Sequence, residues 1–255
     1  KGKTMHKFTK LNARGIATYN YSLLSSTNEW AKHRLMTGAT APFLVTARQQ
    51  TAGHGKFTRK FYSPAGSGAY FTLALPSQLA ISEAHLTVTA AVAAYEVLSS
   101  HFARPLSIKW VNDLYCSGRK VTGILAEAAV NNENHVCGTV IGWGINLAAP
   151  AKVPAELRSQ ISWLSATPVS DCQRLAIIEA ITARFWDLLT SCPWSQVLQV
   201  YRNHQFLAGK HLVVDTGRTQ VVGYFDHLTD DGYLSLRTPQ GMQVFTAGTI
   251  RELPG

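Results

Sequence analysis

Apolar positions repeat with both strand-like and helix-like spacing over the first two-thirds of the chain, and with strand-like spacing alone at the end. Residues 15–23 read as a strand. Ser26-Thr27-Asn28-Glu29 then offers a helix cap followed by helix formers, which predicts a helix running towards Met36. Residues 43–47 and 69–75 are short apolar runs expected to be strands. Between them, residues 50–64 turn to Gly, Lys, Arg and Ser, the composition of a loop. Leu86, Val88, Val92, Tyr95 and Leu98 give residues 82–100 a helical stripe that core packing explains fully. Residues 106–110 and 113–116 read as strands around a bend. Ser117-Gly118 turns the chain into a strand over 120–129, and 136–145 predicts another. Residues 150–165 are irregular, and 172–189 and 194–206 predict two helices. Beyond Ala208-Gly209 the pattern becomes short strands at 211–215, 219–225, 233–238 and 243–246, with Asp230-Asp231-Gly232 and Pro239-Gln240-Gly241 as hairpin-type turns. That last stretch is expected to form a small SH3-like β-barrel.

The chain has 255 residues, 46% of them hydrophobic, enough for one large domain with a small module attached. The expected division is 1–207 and 208–255. No run approaches the roughly 18 apolar residues of a membrane span. Residues 1–10 are polar and basic with no apolar stretch behind them, so no secretory signal is expected; Met5 would be a natural start, and the residues before it carry no argument. The formal charge is +9, and its densest basic cluster, Lys56, Arg59 and Lys60, falls in the glycine-containing loop rather than along a helix face. Cys116, Cys137, Cys172 and Cys192 form neither a C-x-x-C pair nor a metal-ligand spacing with histidine, which predicts free thiols in a reducing cytosol.

Three short segments carry candidate chemistry. In Gln50-Thr51-Ala52-Gly53-His54-Gly55-Lys56-Phe57-Thr58-Arg59-Lys60-Phe61, glycines let backbone N–H groups approach an anion, while lysine and arginine neutralise phosphate charge. In Ser107-Ile108-Lys109-Trp110-Val111-Asn112-Asp113, a cation beside a large apolar side chain suits a ligand with an apolar body and a carboxylate tail. In Gly142-Trp143-Gly144-Ile145-Asn146, glycines at a strand end permit close backbone approach. The third glycine of a dinucleotide fingerprint is missing there, and no helix follows directly.

With Ser26-Thr27-Asn28 before them and Gly123-Ile124-Leu125-Ala126-Glu127 between the last two, these segments resemble, in order and approximate spacing, the biotin–protein ligase family. The resemblance continues through Ala208-Gly209-Lys210 into the β-rich end. It implies an α+β fold: a mixed central sheet flanked by helices, like the class II aminoacyl-tRNA synthetases, followed by the small barrel. It also implies an enzyme that activates biotin with ATP and Mg²⁺ and transfers it to a lysine of a biotin carboxyl carrier protein of a carboxylase. By position, Ser26, Thr27 and Gln50 match residues that bond the ureido ring of biotin, with Gly53, His54 and Gly55 supplying backbone, and Trp110 and Gly123 beside them. Lys109 matches the lysine at the biotin carboxylate. Lys56 and Arg59 match basic positions around the activated carboxylate and the ATP phosphates. Phe61, Asn112, Gly142 and Asn146 match the nucleotide side. Lys109, Arg59 and Lys56 are the expected catalytic groups; no metal ligands are assigned. His54, Lys56, Phe57 and Thr58 stand where the family usually has arginines and a glycine, Phe61 replaces a tryptophan, and Val111 a proline.

The chemistry suits these residue types. Making an acyl-adenylate builds negative charge on phosphoryl oxygens, so fixed cations serve better than a nucleophile. The intermediate must then be kept from water, which predicts that residues 53–62 are mobile until a ligand orders them. The resemblance also admits rivals. A lipoate ligase or octanoyl transferase shares the architecture, and the transferase would need a cysteine near the pocket, for which Cys116 is the candidate. A nucleic-acid-binding regulator would need a winged helix-turn-helix, but 25 residues precede Ser26, too few for one. The chain therefore reads as the short form without that domain, cytoplasmic, with no sequence-specific DNA binding, working as a monomer or homodimer. An inactive scaffold is the remaining reading.

Overall fold

A computed structural model describes residues 8–11, 14–56, 59–76 and 81–253. Its centre is an eight-stranded sheet in the order β1-β2-β3-β4-β8-β7-β6-β5. The strands are β1 (Phe8–Leu11), β2 (Ala17–Tyr21), β3 (Phe43–Ala47), β4 (Gly68–Pro76), β5 (Leu106–Lys109), β6 (Asp113–Cys116), β7 (Arg119–Val130) and β8 (Val136–Asn146). Only the β2–β3 pair is parallel, so the sheet is mixed, as expected. Helices α1 (Thr27–Met36), α2 (Glu83–His101), α3 (Asp171–Ser191) and α4 (Trp194–Asn203) surround it.

Alternation within the central strands decides which helix covers which face. On β4, Ala69, Phe71, Leu73 and Leu75 join the large core built with α2 and α3, while Ala74 faces a smaller core under α1 with Val45, Val140, Ala31 and Leu35. With helices on both faces, β4 is buried along almost its whole length, which is why its sequence is a continuous apolar run. Phe71 stacks on Trp143 at 5.0 Å, and Phe185 of α3 meets Trp143 edge-on at 5.6 Å. Ser26 caps α1, and Ser170 with Gln173 forms a reciprocal capping box on α3.

Strands β9 (His211–Asp215), β10 (Gln220–Leu228), β11 (Leu234–Thr238), β12 (Gly241–Phe245) and β13 (Thr249–Glu252) form a second, antiparallel sheet in the order β12-β11-β10-β9-β13. The closed barrel expected from the sequence is not found among the described residues. β12 and β13 have one strand neighbour each, and closure would need the two edges to meet in a staggered register. With five and four residues they offer little backbone for that. The sheet instead buries Leu212, Val214, Leu234, Leu236 and Ile250 in the same cluster as α2 and α3.

Three elements depart from the pattern reading. β1 lies in a segment read as merely polar, and β13 was not anticipated. The helix predicted over 194–206 ends at Asn203, because the following backbone bonds edge strand β5 instead: Ile108 N–H donates to His204 O at 2.8 Å. Among the described residues no helix is long and apolar enough to cross a membrane. Phe185 is fully buried, so Phe185→Ala is expected to lower unfolding free energy by about 3–5 kcal/mol. Urea unfolding measures this, and a change below about 1 kcal/mol would mean that α3 does not depend on this contact.

Candidate active site

A cavity of about 400 Å³ opens on the α1 face of the central sheet. Its floor follows from register. Gly123 of β7 pairs with Gly144 of β8, and Leu125 with Gly142. A Cβ on Gly144 would stand 2.4 Å from the Phe61 ring, and one on Gly142 would stand 2.1 Å from Asn28 Oδ1. Glycine at these positions therefore lets an aromatic ring and an amide lie directly on the backbone. Phe61 also meets Tyr70 edge-on at 6.4 Å.

One wall is a chain of hydrogen-bonded hydroxyls and amides at the start of α1, ending on the Glu127 carboxylate. Gln50 Oε1 accepts from Thr27 N–H at 2.8 Å and Thr27 Oγ1 at 3.1 Å. Gln50 Nε2 donates to Ser63 Oγ at 3.0 Å, which leaves one amide proton of Gln50 for a ligand. Thr72 Oγ1 donates to Asn28 Oδ1 at 2.6 Å, and Asn28 Nδ2 donates to Glu127 Oε2 at 2.8 Å. Thr27 and Asn28 are both buried, so every bond fixes an orientation at the ligand face.

The opposite wall is cationic. Lys56, Arg59, Lys60, Lys109 and Lys120 line the cavity, and Asp113 is the one carboxylate among the described lining residues. Lys120 Nζ lies 2.7 Å from Asp113 Oδ1. Lys109 Nζ donates to Tyr115 Oη at 3.4 Å. Burial holds the Lys109 amine below the usual lysine range, with Asp113 opposing and Lys120 reinforcing the shift. Burial lowers Lys56 likewise, against Glu83 and Asp113.

The residues singled out from sequence gather at this cavity with one exception. Ser26, Thr27, Gln50, His54, Gly55, Lys109, Trp110 and Gly123 line it, as do Lys56, Arg59, Phe61, Asn112, Gly142 and Asn146. Gly53 stands behind the lining, where a Cβ would come within 2.8 Å of both Gln50 Nε2 and Ser63 Oγ. The Trp110 indole is buried and donates to Gly232 O at 3.0 Å, so the part of it that lines the cavity is anchored to the second sheet. Asn112 Nδ2 donates to Ile124 O, and Asn146 Nδ2 to Lys120 O. Phe57 and Thr58 lie outside the described residues, and so does part of the 53–62 segment expected to be mobile. Cys116 is fully buried, which removes the thiol an octanoyl transferase would have needed there.

Sequence reasoning passed over Asn28, Asp113 and Lys120 as site residues, although the first two stand inside motifs it had read. Leu157, Gln160 and Ile161, and Gly248 to Ile250, also line the cavity. They come from an irregular loop and from the second sheet, and no local pattern marks them. Glu29, His54 and Glu127 bring three potential metal-ligand atoms within 4.8 Å of one another. Lys32 Nζ already sits 2.6 Å from Glu29 and 3.1 Å from Glu127, so that group is largely neutralised without an ion.

Residues 20–146 match the model of the biotin/lipoate A/B protein ligase family. The chain is 30% identical over 228 residues to the biotin–[acetyl-CoA-carboxylase] ligase of Paracoccus denitrificans, covering 85% of this chain and 93% of that one. It is 28% identical over 247 residues to the bifunctional ligase/repressor BirA of Bacillus subtilis, covering 94% and 75%. The fold is shared with the biotin protein ligase of Aquifex aeolicus, solved with biotin and ATP, at a TM-score of 0.77, 21% identity and coverage of 92% and 99%. It is shared too with the biotin acetyl coenzyme A carboxylase synthetase of Helicobacter pylori, solved with biotinylated ATP, at 0.64, 21% identity and the same coverage. A relative at this identity, matched over nearly its whole length, places this chain in the biotin–protein ligase family.

Proposed function

We propose that the chain is a biotin–protein ligase that activates biotin with ATP and transfers it to a lysine amine of a biotin carboxyl carrier domain. The observation that carries this reading is one cavity with a neutral hydrogen-bonding wall at one side and a cluster of cations at the other. A ureido ring is neutral and offers both donors and acceptors, which suits Thr27, Gln50 and the backbone beside Gly55. A carboxylate and a triphosphate suit Lys109, Arg59 and Lys56. Phe61 lies on the glycine floor, where a flat ring can stack against it or displace it.

In the first step a biotin carboxylate oxygen bonds to the α-phosphorus of ATP, and the bond to the bridging oxygen breaks to release pyrophosphate. Lys109 screens the carboxylate from the phosphates it must approach, and Arg59 and Lys56 offset charge developing on the phosphoryl oxygens. A magnesium ion bound with the nucleotide would offset further phosphate charge, and Asp113, the carboxylate of the described lining, would hold it on parting from Lys120. In the second step the carrier's neutral amine attacks the acyl carbon, AMP leaves with the bonding pair of the mixed anhydride, and the amine nitrogen releases one proton to solvent as the amide forms. The division into 1–207 and 208–255, drawn from the change of pattern at Ala208-Gly209, is supported by the change of sheet after α4.

Two outcomes are expected. Pyrophosphate release from ATP and Mg²⁺ should depend on biotin, with octanoate and lipoate in parallel reactions giving none; release with the fatty acids alone would move the chain to the lipoate branch. Lys109→Ala should lower adenylate formation far more than it weakens ATP binding without biotin, and equal losses would contradict the role of Lys109. A titration separates the same point. The carboxylate binds the charged amine, so biotin affinity is complete below the lowered Lys109 value and falls as pH rises through it, before the ordinary lysine value of 10.5. Lys109→Arg should keep affinity across that window. Isothermal titration across pH reads both, and identical profiles for the two proteins would exclude Lys109 as the titrating group.

A further inference from the structure

Lys109 is the last residue of β5, an edge strand whose only strand neighbour in the sheet among the described residues is β6. The end of an edge strand is a poor mount for a group that must meet a carboxylate accurately, because local opening is easiest there. Among the described residues its amine makes a single long hydrogen bond, to Tyr115, so the position of the strand end from which the side chain starts weighs heavily on where the amine can reach.

That backbone is braced from outside the sheet. Ile108 N–H donates to His204 O, and Trp110 Nε1 donates to Gly232 O in the β10–β11 turn. Tyr201 of α4 is fully buried and donates its hydroxyl to Val111 O at 2.9 Å. The same helix grips the turn: Arg202 Nε donates to Leu228 O at 3.1 Å, Arg202 Nη2 pairs with Asp230 at 2.9 Å, and Trp194 Nε1 donates to Asp230 O at 2.6 Å. Neighbouring residues of α4 thus hold the strand end directly and hold the turn that bonds Trp110.

We infer that Tyr201 is a positioning residue for the adenylation step, fixing the Lys109–Val111 backbone so that the Lys109 amine meets the substrate carboxylate, with the β10–β11 turn as the second point of the brace. The inference rests on Lys109 acting as the carboxylate's cation. An error of an ångström in such a group costs on the order of 100-fold in rate, and losing one of several restraints costs a part of that.

Tyr201→Phe keeps the ring and removes only the hydroxyl. Its kcat for biotin-dependent pyrophosphate release should fall about tenfold while its KM for ATP stays within about twofold. Leu188→Ala, a buried change in α3, which contributes none of the brace's hydrogen bonds, controls for lost stability: it should lower Tm at least as much and keep kcat within about twofold. Amide exchange at residues 110–112 in the unliganded protein should speed up in Tyr201→Phe alone. Wild-type kcat in Tyr201→Phe, or an equal fall in Leu188→Ala, would overturn the positioning role. Unchanged exchange at 110–112 would overturn the brace. A wild-type enzyme active with octanoate but not biotin would instead overturn the substrate assignment, and the exchange comparison with kcat on octanoate would still decide the brace.

Discussion

Everything at this site depends on where one buried sheet face runs out of side chains. On the α1 side of the sheet, cross-strand rows pass through Ala74, Val140 and Glu127, then Thr72, Gly142 and Leu125, then Tyr70, Gly144 and Gly123. The first row is roofed by α1. The next two contain three glycines, so Asn28 of α1 and the Phe61 ring come down onto the backbone itself and the cavity opens beside them. The opposite face never thins: Phe71, Leu73, Ile141, Trp143 and Ile124 pack continuously against α2 and α3. The sheet stays rigid under the opening because only one of its faces is interrupted, and a floor of backbone offers a flat ligand contact without side-chain entropy to lose.

The charges around that opening work against folding and in favour of binding. Five Lys and Arg cations and one carboxylate share the lining among the described residues, and burial lowers both Lys109 and Lys56. Between the lowered Lys109 value and 10.5 the unfolded chain binds more protons than the folded one, so the stability of the empty protein rises with pH across that window. Folding therefore carries the expense of desolvated amines, and a bound carboxylate and triphosphate relieve it. The neutral wall behaves differently. Thr27, Gln50, Asn28 and Thr72 are already bonded to one another, and Asn28 to the Glu127 carboxylate, so they are preorganised and need little rearrangement to receive a neutral ring.

The sequence disclosed whatever depended on neighbours along the chain. α1 was legible from its Ser26 cap, α2 from its apolar stripe, and the mixed sheet from short apolar runs bounded by glycines. The lining groups clustered in motifs were legible for the same reason. What depended on pairing across the fold was not. β13 owes its existence to the free edge of β9, and residues 204–206 leave the helix because β5 offers them hydrogen bonds. Lys120 reaches the cavity through a pairing with Asp113, and Gln160 through a bridge that lays residue 161 beside residue 120. The barrel expected at the end rested on strand count and turn spacing, which do not determine whether two short edges meet. Trp110 lines the cavity next to Lys109 as the sequence suggested, but the bond of its indole to Gly232 in the second sheet was not legible, because it too depends on a contact across the fold.

The motifs gain their force together because a ladder couples them. Asp113 pairs with Gly123 across β6 and β7, and Gly123 pairs with Gly144 across β7 and β8. Lys109 pairs with Asp113 across β5 and β6. Four positions from three separate motifs thus form one row across four strands, perpendicular to the chain. Strand side chains alternate, so a slip of one residue in either hairpin would turn Gly123 or Gly144 to the other face and put a bulky neighbour on the cavity floor. The turn at Ser117-Gly118 is tight, with both residues at positive φ, and the ladder beside it carries a bulge between Leu114 and Tyr115. Loop length, bulge and motif spacing are therefore one constraint, and a chain that satisfied any two of them without the third would fold into the same sheet with its cavity filled.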